Sequence, residues 1–240
     1  PLARRCGAPD LQVVIEMEWD TRANWKVITE NWVESYHHIG THLQTLNPMM
    51  PAQDTWVEGE DPHVIRCHLP YRDSVVADIE GSEARGEHYP GFLPLPGLVA
   101  SERAEWGLCL GLPAFMFLAV RDRVIWYRAD PVDPHRTRWL TTTLVSAASS
   151  DHPEFPSWVA AETEALRKFH LEDFEVVEAV QRGLRSSGSQ QGRLSHLDEP
   201  VWLLQRWLAA RTEGAFPGKG DTLPRHAGAG QPLQRYGAAV

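Results

Sequence analysis

"EWGLCLGLPAFMFLAVRDRVIWYRADPVDPHRTRWLTTTLVS", residues 105–146, decides the fold. "EWGLCLGL", "FMFLAV", "VIWYRADP" and "TRWLTTTLVS" are each short and rich in β-branched and aromatic side chains. Gly111 and Pro113 break the first apolar run, and "RDR" and "DPHR" mark the later turns. Connectors this short cannot hold a crossover helix, so the pattern predicts an antiparallel meander.

Upstream, "LQVVIEMEWD" at 11–20 has Leu11, Val13, Ile15 and Met17 at every second position, the alternation of a half-buried strand. "TRANWKVITENWVESYHH" at 21–38 reads as a helix with Thr21 or Asn24 as N-cap, ended or loosened by Gly40. From 47 to 100 the chain is rich in Pro and Gly, with short strands expected at 63–69 and 74–80. Beyond Pro153 the chain turns helical through Leu184, and a last helix, "EPVWLLQRWLAAR", starts near Pro200. Residues 212–240, made of Gly, Pro, Ala and charge, read as a disordered tail. The order predicts one α+β domain over 1–211, a twisted antiparallel sheet with helices packed on one face.

The composition narrows the function. A net charge of −9 with no Lys/Arg stripe argues against nucleic acid as partner, and no apolar run is long enough to span a bilayer. Three widely spaced cysteines, Cys6, Cys67 and Cys109, argue against a disulfide framework or a four-cysteine metal site and fit a reducing cytoplasm. The chain starts at Pro1 without a signal segment, and the expectation is that a segment upstream is missing.

The chemistry concentrates in "NWVESYHHIGTH", residues 31–42. On a helix, Glu34 and His37 lie about 60° apart on one face, whereas His37 and His42 lie about 140° apart, too far round for one ion. If the helix ends or bulges at Gly40, His42 can swing back toward His37. His38 points elsewhere and is the weaker candidate. The competing reading is a set of polar residues at a helix end, where imidazoles also suit the dipole. A second feature raises the metal reading. In "KFHLEDFEVVEAVQRGL", Phe169, Asp173, Val176, Val177, Val180 and Leu184 share one stripe, opposite Glu175, Glu178, Arg182 and Arg185. Asp173 is then a carboxylate on an apolar face and needs a partner: a metal, an arginine or backbone N–H groups. Glu172 beside it could exchange roles. Two histidines and a carboxylate make the facial triad of non-haem Fe(II) oxygenases, though zinc accepts the same ligands.

At this point "NWKVITENWVESYHHIGTH", residues 24–42, resembles the Asn-Trp-Lys … Glu-Asn … acid-x-x-His-x4-His signature of Rieske-type oxygenase α subunits. "EDFEVVEAVQRGLRSS…GRLS", within 172–195, resembles the second motif of that family, and the likeness covers most of residues 10–211. It implies a helix-grip (Bet v 1/START-like) catalytic domain, a sheet wrapped around a long helix. It also implies Fe(II) on His37, His42 and Asp173, with Glu34 linking the iron to a neighbouring subunit's Rieske cluster and Asn31 as a polar residue near the site. The implied reaction is O2-dependent hydroxylation or cis-dihydroxylation of an aromatic or other apolar molecule. Electrons come through a ferredoxin or reductase, in a homotrimer or with a β subunit. Expected wall residues are Phe92, Leu95, Leu98, Trp106, Phe115 and Phe117.

Two departures qualify this. The [2Fe-2S] Rieske cluster needs C-x-H … C-x-x-H, and "RCHLP" at 66–70 has the wrong spacing, so the cluster is expected on a domain not in this chain. Glu34 stands where the best-known ring-hydroxylating members have Asp; Glu occurs in branches acting on quaternary amines. Oxidative demethylation of such amines, a ligand-binding helix-grip protein and a zinc hydrolase using Glu34 as base are the alternatives.

Overall fold

A computed structural model describes residues 10–59, 61–87, 89–190 and 192–212; the expected tail lies almost wholly outside them. Seven strands form one antiparallel sheet in the order β1-β7-β6-β5-β4-β3-β2. They are β1 (Leu11–Thr21), β2 (Trp56–Val57), β3 (Val64–Pro70), β4 (Glu105–Gly111), β5 (Phe115–Ala119), β6 (Val124–Asp133) and β7 (Arg136–Ser146). The meander is as the turn signals predict, and β1 joins it by pairing with β7. Among the described residues, no helix is long and apolar enough to cross a membrane.

Strand register decides which side chains face inward. One row across the sheet is Ile65–Leu110–Met116–Tyr127–Thr141–Met17, and its members belong to or border the core. The next row, Arg66–Cys109–Phe117–Trp126–Thr142–Glu16, faces the other way, because side chains alternate along each strand. Trp56 stacks on His68 on this outer side, 3.9 Å between ring centroids.

The inner face is covered by α1 (Trp25–Val33), the long α3 (Phe155–Leu184) and α4 (Glu199–Thr212), with α2 (Asp73–Ala84) at the side. Helix α3 has 30 residues, about 45 Å at helical rise. The expected strand at 74–80 is instead α2. Val75, Val76 and Ile79 are spaced for a helix face, and of the helix only Ile79 is buried, so this short apolar run follows the helical and not the strand period. The inward stripe of α3 also differs from expectation. It runs Leu166, His170, Val177, Gln181, while Val180 and Leu184 are exposed.

That rotation matters because the polar end of the stripe fastens α3 to the start of α1. The Arg22 N–H donates to Glu178 Oε1 at 2.9 Å, and the Asn24 N–H donates to Gln181 Oε1 at 2.7 Å. Glu178 is therefore a tether and not part of a solvated face. Asn24, and not Thr21, caps α1: its Oδ1 accepts the Lys26 N–H at 3.0 Å, and its amide donates to the Pro134 carbonyl at 2.8 Å. These bonds set the height of α1 against α3 and so bring residues 31–42 level with Asp173.

Two ionic clusters stiffen the sheet. At the β5–β6 turn, the nearly buried Arg123 contacts Asp122 Oδ1 at 2.5 Å and Glu162 Oε1 of α3 at 2.7 Å. On the outer face, His68 lies between Glu105 Oε1 (3.0 Å) and Glu58 Oε1 (3.1 Å). Burial alone would lower the His68 pKa, but the two carboxylates outweigh it and raise it. A group raised on folding stabilises fully below its unfolded pKa, and that contribution is lost as pH rises through the folded value. His68→Gln is thus expected to cost about 1 kcal/mol at pH 6, given partly exposed partners. The gap from wild type should narrow by pH 9. Urea melts of both proteins at the two pH values measure this, and a pH-independent gap would count against it.

Candidate metal centre

Helix α1 stops at Val33, five residues before the end expected from sequence. Glu34 is extended (φ −110°, ψ 167°), and its own side chain replaces the helix. Oε2 accepts the His37 N–H at 3.1 Å, while Oε1 lies 2.5 Å from His37 Nδ1. A 3-10 turn follows at Tyr36–Ile39, and Gly40 caps it by donating to the His37 carbonyl at 3.0 Å. Gly40 has φ −109°, and a Cβ there would meet only the His37 carbonyl at 3.9 Å. The bend toward His42 thus comes from Glu34 and the 3-10 turn, and the glycine is not sterically required.

The distorted segment brings together what a straight helix keeps apart. His37 Nε2 lies 3.5 Å and His42 Nε2 3.0 Å from the same atom, Asp173 Oδ1. The Asn31 amide donates to that oxygen at 2.9 Å. The opposite nitrogens are engaged: His37 Nδ1 by Glu34, and His42 Nδ1 by Glu172 Oε2 at 2.8 Å. The Thr45 hydroxyl donates to the same Glu172 oxygen at 2.8 Å. Imidazoles that ligate metals characteristically donate their other N–H to a carboxylate or carbonyl. Both histidines have that arrangement, with both Nε2 atoms turned to one carboxylate oxygen, so the donor set fits a divalent metal. Asp173 faces the convergence point, and Glu172 serves the far side of His42. Glu172→Ala is expected to weaken metal binding by about 10- to 100-fold, read by Co(II) titration. Undiminished affinity would show that His42 needs no such support.

Charge follows the same pattern. Burial pushes the Asp173 carboxyl up, but its hydrogen bond to His42 and the nearby imidazoles outweigh this and hold it down, at about 2. Burial lowers His42, yet Asp173 and Glu172 together raise it. Binding of a metal ion at His42 therefore competes with a proton there. His38, expected to point away, turns inward: it is buried and lies edge-on to His37 (4.8 Å) and His42 (5.3 Å). The 100° rule fails here because the helix has already ended. Burial depresses His38 to about 3.

Beside the cluster lies a small cavity of about 60 Å³, partly open to solvent. Trp32, Trp106, Tyr127, Trp139, Phe169 and Phe174 supply its aromatic walls. Of the expected wall residues only Trp106 is among them. Phe92 and Leu95 are buried without lining it, with Phe92 packed on Phe155 and Trp158. Leu98 does not line it either, and on the outer face Phe117 stacks with Trp126 while Phe115 meets it edge-on. His170 was not anticipated. It is buried beside Trp19 (4.8 Å, nearly parallel), its Nδ1 lies 2.7 Å from the Leu166 carbonyl, and burial lowers its pKa to about 4. Nothing in its sequence spacing sets it apart from an ordinary helix position.

A sheet wrapped on a long helix, with two imidazoles and a carboxylate converging beside an aromatic cavity, is the arrangement of a helix-grip oxygenase domain. Residues 9–214 match the family described as ring hydroxylating alpha subunit (catalytic domain), and the chain belongs to that family. It is similar to the glycine betaine monooxygenase oxygenase subunit of Chromohalobacter salexigens, at 23% identity over 218 residues, covering 79% of this chain and 47% of that protein. Its fold is similar to that of a quaternary ammonium Rieske monooxygenase, CntA (TM-score 0.65, 20% identity, 87% of this chain and 52% of that one). Dicamba monooxygenase is a further structural neighbour (TM-score 0.56, 16% identity, 88% and 62%). The chain spans about half the length of the first of these relatives.

Proposed function

We propose that the chain is the oxygen-activating domain of a Rieske-type oxygenase, that His37, His42 and Asp173 hold Fe(II), and that the substrate is a cationic amine bearing N-methyl groups. The observation that carries the substrate reading is the cavity. Its walls are aromatic, Glu34 and Asp173 bring carboxylates, and no Lys or Arg stands among the described residues lining it. Aromatic faces attract a quaternary ammonium, while an anionic group would find no cationic partner. Two of the similar proteins are, by name, monooxygenases of glycine betaine and of quaternary ammonium compounds.

Bound Fe(II) would supply the reduction of O2 that inserts oxygen into a C–H bond. The chain's own side chains do the rest. Glu34 and Glu172 hold the His37 and His42 rings, and Asn31 holds Asp173. The aromatic walls exclude water and set an N-methyl group against the cluster. One oxygen atom converts N-CH3 to N-CH2OH. The other leaves as water, using two electrons and two protons. The hydroxymethyl amine then loses formaldehyde. The electrons come from a Rieske [2Fe-2S] domain that is not among these 240 residues, itself fed by a ferredoxin or reductase. Glu34, nearly buried and bonded to His37, is the proposed conduit. Tyr36, Ile39 and Leu43 form an exposed apolar surface on the same segment, where the Rieske domain of another subunit, in a trimer with or without a β subunit, would dock.

The second reading is hydroxylation or cis-dihydroxylation of an uncharged arene, which the same walls would stack. The test combines the iron-loaded chain with an intact Rieske partner and reductase, and offers choline, then naphthalene. Formaldehyde released in step with O2 consumed from choline is expected. A diol from naphthalene with no turnover of choline would overturn the amine reading, and oxygen-independent hydrolysis with bound zinc would overturn both.

A further inference from the structure

The third histidine of the cluster has no task in the reading above. One ring nitrogen from each of His37, His38 and His42 lies within 4.8 Å of the other two. Donors on opposite sides of one metal ion stand at most about 4.2 Å apart, twice a metal–imidazole bond, so a small inward shift of the rings would close the set. His38 is 4% exposed, lines the same cavity as Asp173, and has its Nδ1 fully buried with no hydrogen-bond partner among the described residues. Its remaining partner is the backbone of Met50. With the ring hydrogen directed to that carbonyl from Nε2, Nδ1 keeps its lone pair. That is the tautomer of a metal-ligating imidazole held by a backbone carbonyl.

Other features carry less. Among the described residues, nothing beside the Phe115, Phe117 and Trp126 patch says what covers it, and no unpartnered buried group is aimed into the Trp207–Arg211 groove. For His38, an orphaned buried nitrogen and a ready donor set occur together.

We propose that His38 is a third imidazole ligand of the metal centre, so that the site offers three histidines and Asp173 in place of two histidines and a carboxylate. This rests on the reading of the cluster as a metal site. A fourth protein ligand takes one of the positions that a facial triad leaves open and makes the site more nitrogen-rich.

The experiment uses the full chain loaded anaerobically with Co(II). X-ray absorption counts the imidazoles on the bound ion, and optical titration gives its affinity in wild type and His38→Leu. Three imidazoles in wild type and two in the variant, with affinity reduced at least about tenfold, are expected. Leu removes the unpartnered nitrogen but also the bond to the Met50 backbone, so a lower melting point fits either reading, whereas unchanged affinity in the variant would mark a histidine that serves only the core. Two imidazoles on wild-type Co(II) would overturn the proposal and leave the His37–His42–Asp173 reading intact. No bound Co(II) at all would overturn both. The imidazole count in the wild type decides the matter even if the variant fails to fold.

Discussion

Asp173→Ala should leave a folded chain that holds iron far more weakly, its affinity reduced more than about 100-fold, so that metal content after anaerobic loading with limiting Fe(II) falls well below one ion per chain. Asp173 Oδ1 is the atom toward which His37 Nε2 and His42 Nε2 both turn. The substitution removes the carboxylate that both Nε2 atoms face and strands the Asn31 amide. Loss of a residue that merely orients a ligand weakens binding by about 10- to 100-fold, and loss of the proposed ligand itself should exceed that. Glu172→Ala is the comparison. Its carboxylate faces the opposite nitrogen of His42, so it should lower affinity and still allow full loading at saturating metal. If Asp173→Ala loads fully while Glu172→Ala does not, the two residues have been assigned the wrong way round.

The largest stability effect is expected at Arg123→Met. Arg123 joins the β5–β6 turn to α3 through Asp122 and Glu162, and all three side chains are nearly buried. Asp122 also accepts the Phe92 N–H at 3.0 Å, next to Gly91 at φ +124°, where a Cβ would come within 2.5 Å of the carboxylate. Burial raises the Glu162 carboxyl in spite of Arg123. Without the guanidinium, two carboxylates would share a dry site and Glu162 would take up a proton. Breaking such a pair typically costs about 3–5 kcal/mol, or roughly 10 °C in melting temperature for a domain of this size. Calorimetry of the metal-free variant checks this. A double change that also neutralises the acids, Arg123→Met with Glu162→Gln, should recover part of the loss. A melting point within 2 °C of wild type, about what 1 kcal/mol produces, would mean the cluster is dispensable.

The elements that local chemistry specifies were legible. The meander from 105 to 146, β1 and the helix beyond Pro153 follow from side-chain period and turn residues. The Asn24 cap was one of two candidates, since a capping side chain needs only its own neighbours. The pairing of residues 31–42 with Asp173 was legible only through the resemblance, because 131 positions separate His42 from its partner. What misled was any inference that carried a regular helix or an apolar residue beyond its local context: α1 through Glu34, an inward Val180 and Leu184, and cavity walls at Phe115 and Phe117.

By itself, the sequence determined that this is an α+β chain with an antiparallel meander, a long amphipathic helix and a histidine-rich segment of specific spacing. Tertiary structure alone decided which side chains meet. Register across seven strands sends Tyr127 inward and Phe117 outward. Glu34 ends α1 by bonding to His37, and Glu178 and Gln181 tether α3 to the start of α1. Those choices depend on partners far away in the chain, whose contribution to the free energy exists only once the sheet and helices have packed.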